Sequence, residues 1–295
     1  MGERLRCVAS ELPQEQMAKK TKATEPIVES LAIAVSPARA WEAITSPRIL
    51  GDVIMGHVEI DPRPGKPFVW QWNVWAKAAP RKDQQAYTWR GQMLDVVPGS
   101  TLVLGGAGQS TAVLTVKGDG DASLVTAVQS EVPRGYDFEA YRRGWADFLL
   151  KLKTLLERPP FNEQVFLRTL VKATPAQVTA AWLSASAMSK LLPGKAKITA
   201  KPGGAYEWQR NERKGMTESG RFLEINKGRR VAFTWGAGNR PREVRLSAEK
   251  TPYGALVSLE QLGTSSGFHE SDRRMWAHLL ERMQVYFYYN KKIRM

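Results

Sequence analysis

Hydrophobic positions first alternate with polar or small ones along this chain, and they later recur with a helical period. Residues 27–35 alternate in the way that is typical of a half-buried strand. Ser36 and Pro37 then supply an N-cap oxygen and the preset φ of a first helical turn, which predicts a short helix over 38–45. The Ser-Pro pair at 46–47 restarts the same pattern and predicts a second short helical segment.

Strands and one long helix follow these two short helices. Turn signals at 62–65, 98–99 and 118–120 separate five or six predicted strands. A long helix is predicted over 136–157, where large apolar residues recur at spacings of three and four and mark one buried face. The members of this stripe are Tyr141, Trp145, Phe148, Leu149, Leu152 and Leu156.

The same series of landmarks occurs a second time in the chain. The order is kept in the second copy and only the loop lengths change, so the chain contains two copies of one domain of roughly 130 residues, too long for one unit of a solenoid. The matched segments are 36–38 with 174–176, 64–65 with 202–203, 68–70 with 206–208, 91–96 with 220–225, and 142–145 with 273–276.

Five segments are predicted from these landmarks. They are an N-terminal extension of polar composition over 1–26, a first domain over 27–157, a Pro-Pro linker over 158–160, a second domain over 161–290, and a basic tail over 291–295. One strand, two short helices, a run of antiparallel strands and a long closing helix predict an α+β fold. In this helix-grip arrangement each curved sheet wraps around its closing helix.

Two sequence motifs resemble a known family. The opening motif Val-Ser-Pro-Ala-Arg-Ala-Trp-Glu-Ala-Ile-Thr and the closing motif Gly-Trp-Ala-Asp-Phe-Leu-Leu-Lys-Leu-Lys-Thr-Leu-Leu-Glu are similar to those of the heat-shock-protein-90 ATPase activator homologues. That family belongs to the START, polyketide-cyclase and birch-pollen-allergen (SRPBCC) superfamily. The resemblance covers about residues 27–290. It implies a helix-grip fold that often encloses a cavity, on which lipid carriers, cyclases and chaperone accessories are all built.

Aromatic residues are the first candidate site. The two-residue period places Phe68, Trp70, Trp72 and Val74 on one face of a strand predicted over 66–75. If such faces point inward, each domain contains either a filled aromatic core or a cavity for a hydrophobic small molecule, in which indole N–H groups orient the ligand. The candidate cavity residues are Phe68, Trp70, Trp72, Trp89 and Trp145 in the first domain, and Tyr206, Trp208, Trp235 and Trp276 in the second.

Charge gives the second candidate site. The formal net charge is +14, and the segment 159–295 holds 23 basic residues against 11 acidic ones, whereas 27–158 is nearly neutral. This basic surface is either a solvated outer face or a docking surface for an acidic protein. Nucleic acid is the weaker option because no known binding motif accompanies the charge. The candidate docking residues are Lys195, Lys197, Lys201, Arg229 and Arg230.

Catalytic and metal-binding motifs do not emerge from the sequence. The three histidines form no close pair, and no phosphate loop, nucleophile elbow or convincing acid–base pair appears. No cofactor or metal is therefore predicted, and enzyme activity would rest on superfamily analogy alone. Cys7 is the only cysteine, and no apolar run approaches the ~20 residues of a membrane span, so a reducing, cytoplasmic setting is expected. Met17 is a plausible true start of the protein.

Three functions remain open at this stage. The leading hypothesis is non-catalytic binding of a hydrophobic small molecule, first in domain one. The alternative is a chaperone accessory whose basic second domain docks an acidic partner such as a heat-shock ATPase. The third is a cyclase or hydrolase of the same superfamily. The sequence indicates neither the ligand nor the oligomeric state.

Overall fold

The structure is a computed structural model of the chain. The predicted linker, the predicted C-terminal tail and all but the last two residues of the predicted N-terminal extension lie outside the described residues. The structure describes residues 25–78, 87–106, 111–130, 137–157, 164–192, 194–210, 217–236, 241–264 and 269–289.

Each copy has the predicted order of elements, with one additional helix over Asn73–Ala78 in copy one. Copy one contains β1 (Ile27–Ile33), α1 (Pro37–Thr45), α2 (Pro47–Ile54), β2 (His57–Ile60), β3 (Pro67–Gln71), α3 (Asn73–Ala78), β4 (Thr88–Val97), β5 (Thr101–Gly106), β6 (Thr111–Asp119), β7 (Ala122–Ser130) and α4 (Phe138–Leu156). Copy two contains β8 (Val165–Val171), α5 (Pro175–Trp182), α6 (Ala185–Leu191), β9 (Gly194–Ile198), β10 (Ala205–Arg210), β11 (Thr217–Asn226), β12 (Arg230–Trp235), β13 (Arg242–Thr251), β14 (Gly254–Leu262) and α7 (His269–Tyr289).

Two antiparallel sheets of seven strands result, with the same strand order. The first sheet runs β1-β7-β6-β5-β4-β3-β2, and the second runs β8-β14-β13-β12-β11-β10-β9. The first strand of each copy pairs with its last, and the closing helix packs its apolar stripe against one face of the sheet. This confirms the predicted α+β fold of two tandem helix-grip domains.

The helix caps are those that the sequence predicts. Ser36 Oγ accepts a hydrogen bond from Arg39 N at 3.4 Å and begins α1. Thr174 begins α5 with a complete capping box, because its Oγ1 accepts from Gln177 N at 3.2 Å while the Gln177 side chain accepts from Thr174 N at 2.8 Å. Local residues therefore fix where these helices begin.

The strand predicted over 66–75 is wrong in its second half. β3 ends at Gln71 and α3 begins at Asn73, so Trp72 and Val74 do not share a strand face with Phe68 and Trp70. The cause is tertiary, since Trp75 on α3 contacts copy two: its Nε1 donates to Glu281 at 2.9 Å. A strand continued to 75 would lose this contact.

The two copies pack closely together. Both closing helices, α4 and α7, lie against β8, which is an edge strand of the second sheet. Side chains satisfy the free edge of that strand: Asp147 Oδ1 accepts from Leu170 N at 2.7 Å, and Gln284 Nε2 donates to Leu170 O at 2.8 Å. These two side chains pair both backbone groups of Leu170 on this edge, and the two helices cover the strand, which is one way in which proteins protect a sheet edge.

Candidate functional site

The predicted aromatic residues of copy one lie together inside its grip. Phe68 and Trp70 are each 1% exposed, and Trp70 stacks on Phe148 of α4 with ring centroids 5.6 Å apart. Trp89 forms T-shaped contacts with both rings, with its ring centroid 4.8 Å from that of Phe68 and 5.7 Å from that of Trp70. Trp72 follows the end of β3, and its ring centroid still lies 6.1 Å from that of Trp70.

The predicted aromatic residues of copy two form a matching cluster. Tyr206 stacks on Trp235 at 6.2 Å, and Trp235 packs against Trp276 of α7 at 4.8 Å. The Tyr206 hydroxyl donates to Thr234 O at 2.5 Å, and burial raises the pKa of this phenol above its usual value. Trp208 lies 6.0 Å from Trp235 and completes the group.

Little space remains in the grip of copy two. A cavity of about 20 Å³ lies among its lining residues, which include Trp182, Tyr206 and Trp208. A cavity needs a volume of roughly 10–15 Å³ to hold one water molecule. Binding sites for drug-sized ligands have volumes of roughly 300–1,000 Å³. In this conformation the aromatic side chains of copy two act as a core with room for one or two waters.

A buried tryptophan–glutamine hydrogen bond occurs in both copies. Trp145 Nε1 donates to Gln129 Oε1 at 2.6 Å, and Trp276 Nε1 donates to Gln261 Oε1 at 2.5 Å. Each pair joins the closing helix to the last strand of its own sheet. Sequence reasoning found both tryptophans and missed both glutamines, although Gln129 and Gln261 stand 132 positions apart and the tryptophans 131.

The two strand tryptophans differ in their polar contacts. Trp208 Nε1 donates to Leu192 O at 3.2 Å. Its counterpart Trp70 has a fully buried Nε1 that no hydrogen-bond acceptor among the described residues reaches. An unpaired buried donor costs about 1–3 kcal/mol. Copy one therefore contains an unused donor inside its grip, whereas the unpaired buried donor found among the described residues of copy two, Arg168 Nε, belongs to a residue that lines the cleft between the copies.

The predicted docking residues divide into two groups. Lys195 and Lys197 lie on β9, which ends at Ile198, whereas Lys201 lies in the turn beyond that strand. Arg229 and Arg230 are exposed at the hairpin between β11 and β12. Lys201 belongs with this second group, because its turn is bonded to β11 through Gly203 N and Phe222 O at 2.7 Å.

Strand register measures the separation of the groups. Lys195 pairs with Gln209, which in turn pairs with Thr217, whereas Arg230 pairs with Asn226. Thr217 and Asn226 are nine residues apart on β11, which corresponds to roughly 30 Å along a strand. A partner segment that contacts Arg230 would therefore have to span roughly 30 Å to reach Lys195 as well.

Ion pairs neutralise part of the positive charge. Arg230 donates from both Nε and Nη2 to Glu224 Oε2, and Lys197 lies 3.6 Å from Glu207. Within the part of the chain that the structure describes, Lys195, Lys201 and Arg229 are exposed and form no ion pair with a carboxylate. Lys195 lies on β9, an edge strand of the sheet, where lysine also prevents pairing with another chain.

A buried ionic cluster joins the two copies. The Lys151 ammonium contacts Asp147 Oδ2 at 2.8 Å and the carboxylate of Glu281, whose side chain is only 2% exposed. Burial raises the pKa of the Glu281 carboxyl; Lys151 opposes this, and the nearby Asp147 carboxylate adds to it. The sequence offered one signal of this cluster: these charged residues lie next to the apolar stripes of the closing helices.

A cleft of about 50 Å³ lies beside this cluster, between the copies. Lys151 and Arg273 are among its lining residues, and each is matched by a carboxylate, Glu281 and Asp52 respectively. Arg168 also lines the cleft, and its buried Nε has no hydrogen-bond partner among the described residues, so three cations face two carboxylates there. Among the described residues no group of three His, Cys, Asp or Glu side chains could hold a metal ion, and no helix is long and apolar enough to cross a membrane.

The two sheets and their closing helices define a protein of two tandem helix-grip domains. A family model described as activator of Hsp90 ATPase homolog 1-like protein matches residues 34–157 and 172–288. These segments span most of the chain, one in each copy, and the chain belongs to this family. No curated protein matches the chain.

Solved structures with similarity to the chain include single-domain and longer proteins. A protein of the dynemicin biosynthetic locus matches over 90% of this chain and 98% of its own length, at 15% identity and a TM-score of 0.39. The Aha1 dimer from Colwellia psychrerythraea matches over 43% of this chain and 98% of its own, at 17% identity and a TM-score of 0.39. An HSP90 activator from Plasmodium falciparum matches over 41% and 94%, at 15% identity and a TM-score of 0.37.

Proposed function

We propose that this protein is a non-catalytic accessory of a heat-shock ATPase that docks an acidic surface of its partner on copy two. The family to which the chain belongs supports this proposal through its description as Hsp90 ATPase activator homologues. The observation that carries it is the exposed positive charge of Lys201 and Arg229, which lie in turns of copy two and form no ion pair with a carboxylate among the described residues. Copy one has no matching excess of charge.

The packed interior of copy two agrees with a role for its outer surface. Because the cavity there is about 20 Å³, binding through this copy would use outer residues rather than enclosed ones. Charged surface residues also accelerate association with a partner of opposite charge, and this effect weakens with ionic strength.

Charge reversal on copy two tests the proposal. The double variant Lys201→Glu/Arg229→Glu should bind a purified Hsp90-type ATPase at least ten-fold more weakly than the wild type at 50 mM salt, measured by isothermal titration calorimetry. The matched control is Arg90→Glu/Lys117→Glu, which makes the same charge change at exposed positions of copy one. Equal losses in both variants would indicate a general charge effect and contradict docking on copy two.

Binding of a hydrophobic small molecule in copy one is the second candidate function. The unpaired Trp70 Nε1 favours it, because a ligand acceptor inside the grip would satisfy that donor. The candidate contacts remain Phe68, Trp70, Trp72, Trp89 and Trp145.

Native mass spectrometry of the purified protein tests this second candidate. A co-purifying molecule should be lost in Trp70→Phe and kept in Trp208→Phe, because only Trp70 has a free donor. Retention of the molecule in both variants, or its absence from the wild type, would contradict a ligand that pairs with Trp70.

A further inference from the structure

We infer that Leu223 is an apolar anchor within the basic end of copy two, and that it binds an apolar side chain carried by an acidic protein segment. This inference rests on the proposed docking function and adds its apolar component. The surface concerned, here named the hairpin patch, consists of Lys201, Arg221, Leu223 and Arg229.

One leucine is exposed in each copy, beside an irregularity in the sheet. In copy one the β4–β5 register shifts between Met93 and Asp95, and in copy two the β11–β12 register shifts between Phe222 and Glu224. Each leucine follows a buried residue, Met93 or Phe222, so the two-residue alternation of a strand places it on the outer face. Leu94 is 55% exposed and Leu223 49% exposed.

The two leucines differ in what they cover. Leu94 lies over the backbone of Gly105: a Cβ built on that glycine would come within 2.7 Å of the leucine side chain. The equivalent position in copy two is Thr234, whose Oγ1 accepts from Arg221 N at 2.9 Å. Copy two therefore has no glycine backbone for Leu223 to shield, and the packing role of Leu94 does not account for Leu223.

Exposed positive charge lies near both leucines and is denser near the second; beside the first, Lys66 is exposed and its backbone oxygen accepts from Met93 N at 2.8 Å. Arg221 is exposed two residues before Leu223, and the turn that holds Lys201 is bonded to the neighbouring Phe222. Arg229 lies in the hairpin that follows. The three matched positions of copy one are Arg63, which forms a bidentate contact with Asp61, and the uncharged Gln92 and Ser100.

Charge complementarity identifies the occupant of the hairpin patch as an acidic segment. Its carboxylates would pair with Lys201, Arg221 and Arg229, and the exposed half of Leu223 would be removed from water by one apolar side chain of the segment. Burial of the remaining half of a leucine side chain corresponds to about a five-fold gain in affinity.

Two synthetic peptides test the inference by fluorescence anisotropy at 50 mM salt. Both are twelve residues long and contain only glutamate and glycine, except that one has a central leucine. The wild type should bind the leucine-containing peptide about five-fold more tightly than the other. The Leu223→Ser variant should bind both peptides equally, while the matched control Leu94→Ser should keep the five-fold preference. Thermal melts of the variants verify that each is folded at the assay temperature.

The outcomes separate the apolar anchor from the docking function. If both acidic peptides bind equally to the wild type and the Lys201→Glu/Arg229→Glu variant loses them, docking stands and the anchor is overturned. Persistence of the five-fold preference in Leu223→Ser would also overturn the anchor. Failure of both peptides to bind would overturn both proposals. Binding of phosphatidylserine vesicles without binding of either peptide would assign the hairpin patch to a membrane surface and overturn the inference.

Discussion

Replacement of Lys151 by methionine is expected to destabilise the protein strongly, because Lys151 supplies the positive charge of the buried cluster between the copies. Its ammonium contacts Asp147 and Glu281, and its side chain is 16% exposed. Burial by itself would lower the pKa of this ammonium, but the two carboxylates outweigh burial and hold the pKa above its ordinary value. The Lys151→Met variant retains the volume of the stem and leaves two carboxylates without a counter-charge.

The expected loss is about 3–5 kcal/mol, the usual cost of removing one partner from a buried ion pair. Trp75 Nε1 still donates to Glu281, and Leu170 N and Thr169 Oγ1 still donate to Asp147, so hydrogen bonds offset a part of the lost charge. At about 2–4 °C per kcal/mol for a chain of this size, the melting temperature should fall by roughly 10 °C.

Urea unfolding followed by tryptophan fluorescence measures this loss. The control is Lys153→Met on the same helix, whose ion pair with Glu157 is more exposed and is expected to contribute at most about 1 kcal/mol. A second variant, Lys151→Met/Glu281→Gln, has the same net charge in the cluster as the wild type and keeps an acceptor for Trp75. It should recover at least half of the lost stability.

Two results would refute this reasoning. The first is a Lys151→Met variant within about 0.5 kcal/mol of the wild type, which is the scale of an ordinary surface substitution. The second is a double variant that is no more stable than Lys151→Met, since stability would then not depend on the uncompensated carboxylate.

Three further predictions concern copy two. Trp276→Phe should cost about 1–3 kcal/mol in urea unfolding, because it leaves the buried Gln261 oxygen without its donor. Arg273 lowers the pKa of the Glu270 carboxyl to about 2, so this group stabilises the fold above its unfolded pKa of 4.5, and the contribution is lost as the pH falls towards 2. The difference in melting temperature between the wild type and Glu270→Gln should therefore shrink between pH 5 and pH 3. Thr174→Ala should cost about 1 kcal/mol through loss of the capping box at α5.

Each of these predictions has a contradicting outcome. A Trp276→Phe variant as stable as the wild type would mean that the indole hydrogen bond is replaceable by water. If the difference in melting temperature between the wild type and Glu270→Gln stayed constant from pH 5 to pH 3, the lowered pKa of Glu270 would be contradicted. For Thr174→Ala, unchanged helix content together with unchanged stability would show that α5 does not depend on its cap.

Local residue patterns were sufficient to predict most of the elements. The capping residues Ser36 and Thr174 begin α1 and α5 where the sequence indicated, because a cap acts through hydrogen bonds within a few residues. The strand predicted over 66–75 failed in its second half because a distant contact, from Trp75 to Glu281, favours a helix after Gln71. No pattern within ten residues carries that information.

The candidate sites were predictable to different degrees. Alternation along β3 correctly placed Phe68 and Trp70 inside the grip, since the side-chain period of a strand is local. It did not reveal that Trp70 lacks an acceptor while Trp208 has one, because that difference depends on the Leu192 carbonyl of another element. The separation of Lys195 from the hairpin patch likewise follows from strand register.

The sequence by itself determined that the protein consists of two copies of one helix-grip domain, and that only the second copy is strongly basic. Periodicity, capping residues and turn glycines act over short distances, so they can be read along the chain. Only the tertiary structure decided how the copies join through Lys151 and Glu281, how much space the aromatic interiors leave, and which cations remain unpaired around Leu223. These properties depend on groups that are distant in sequence and meet only when both sheets have closed around their helices.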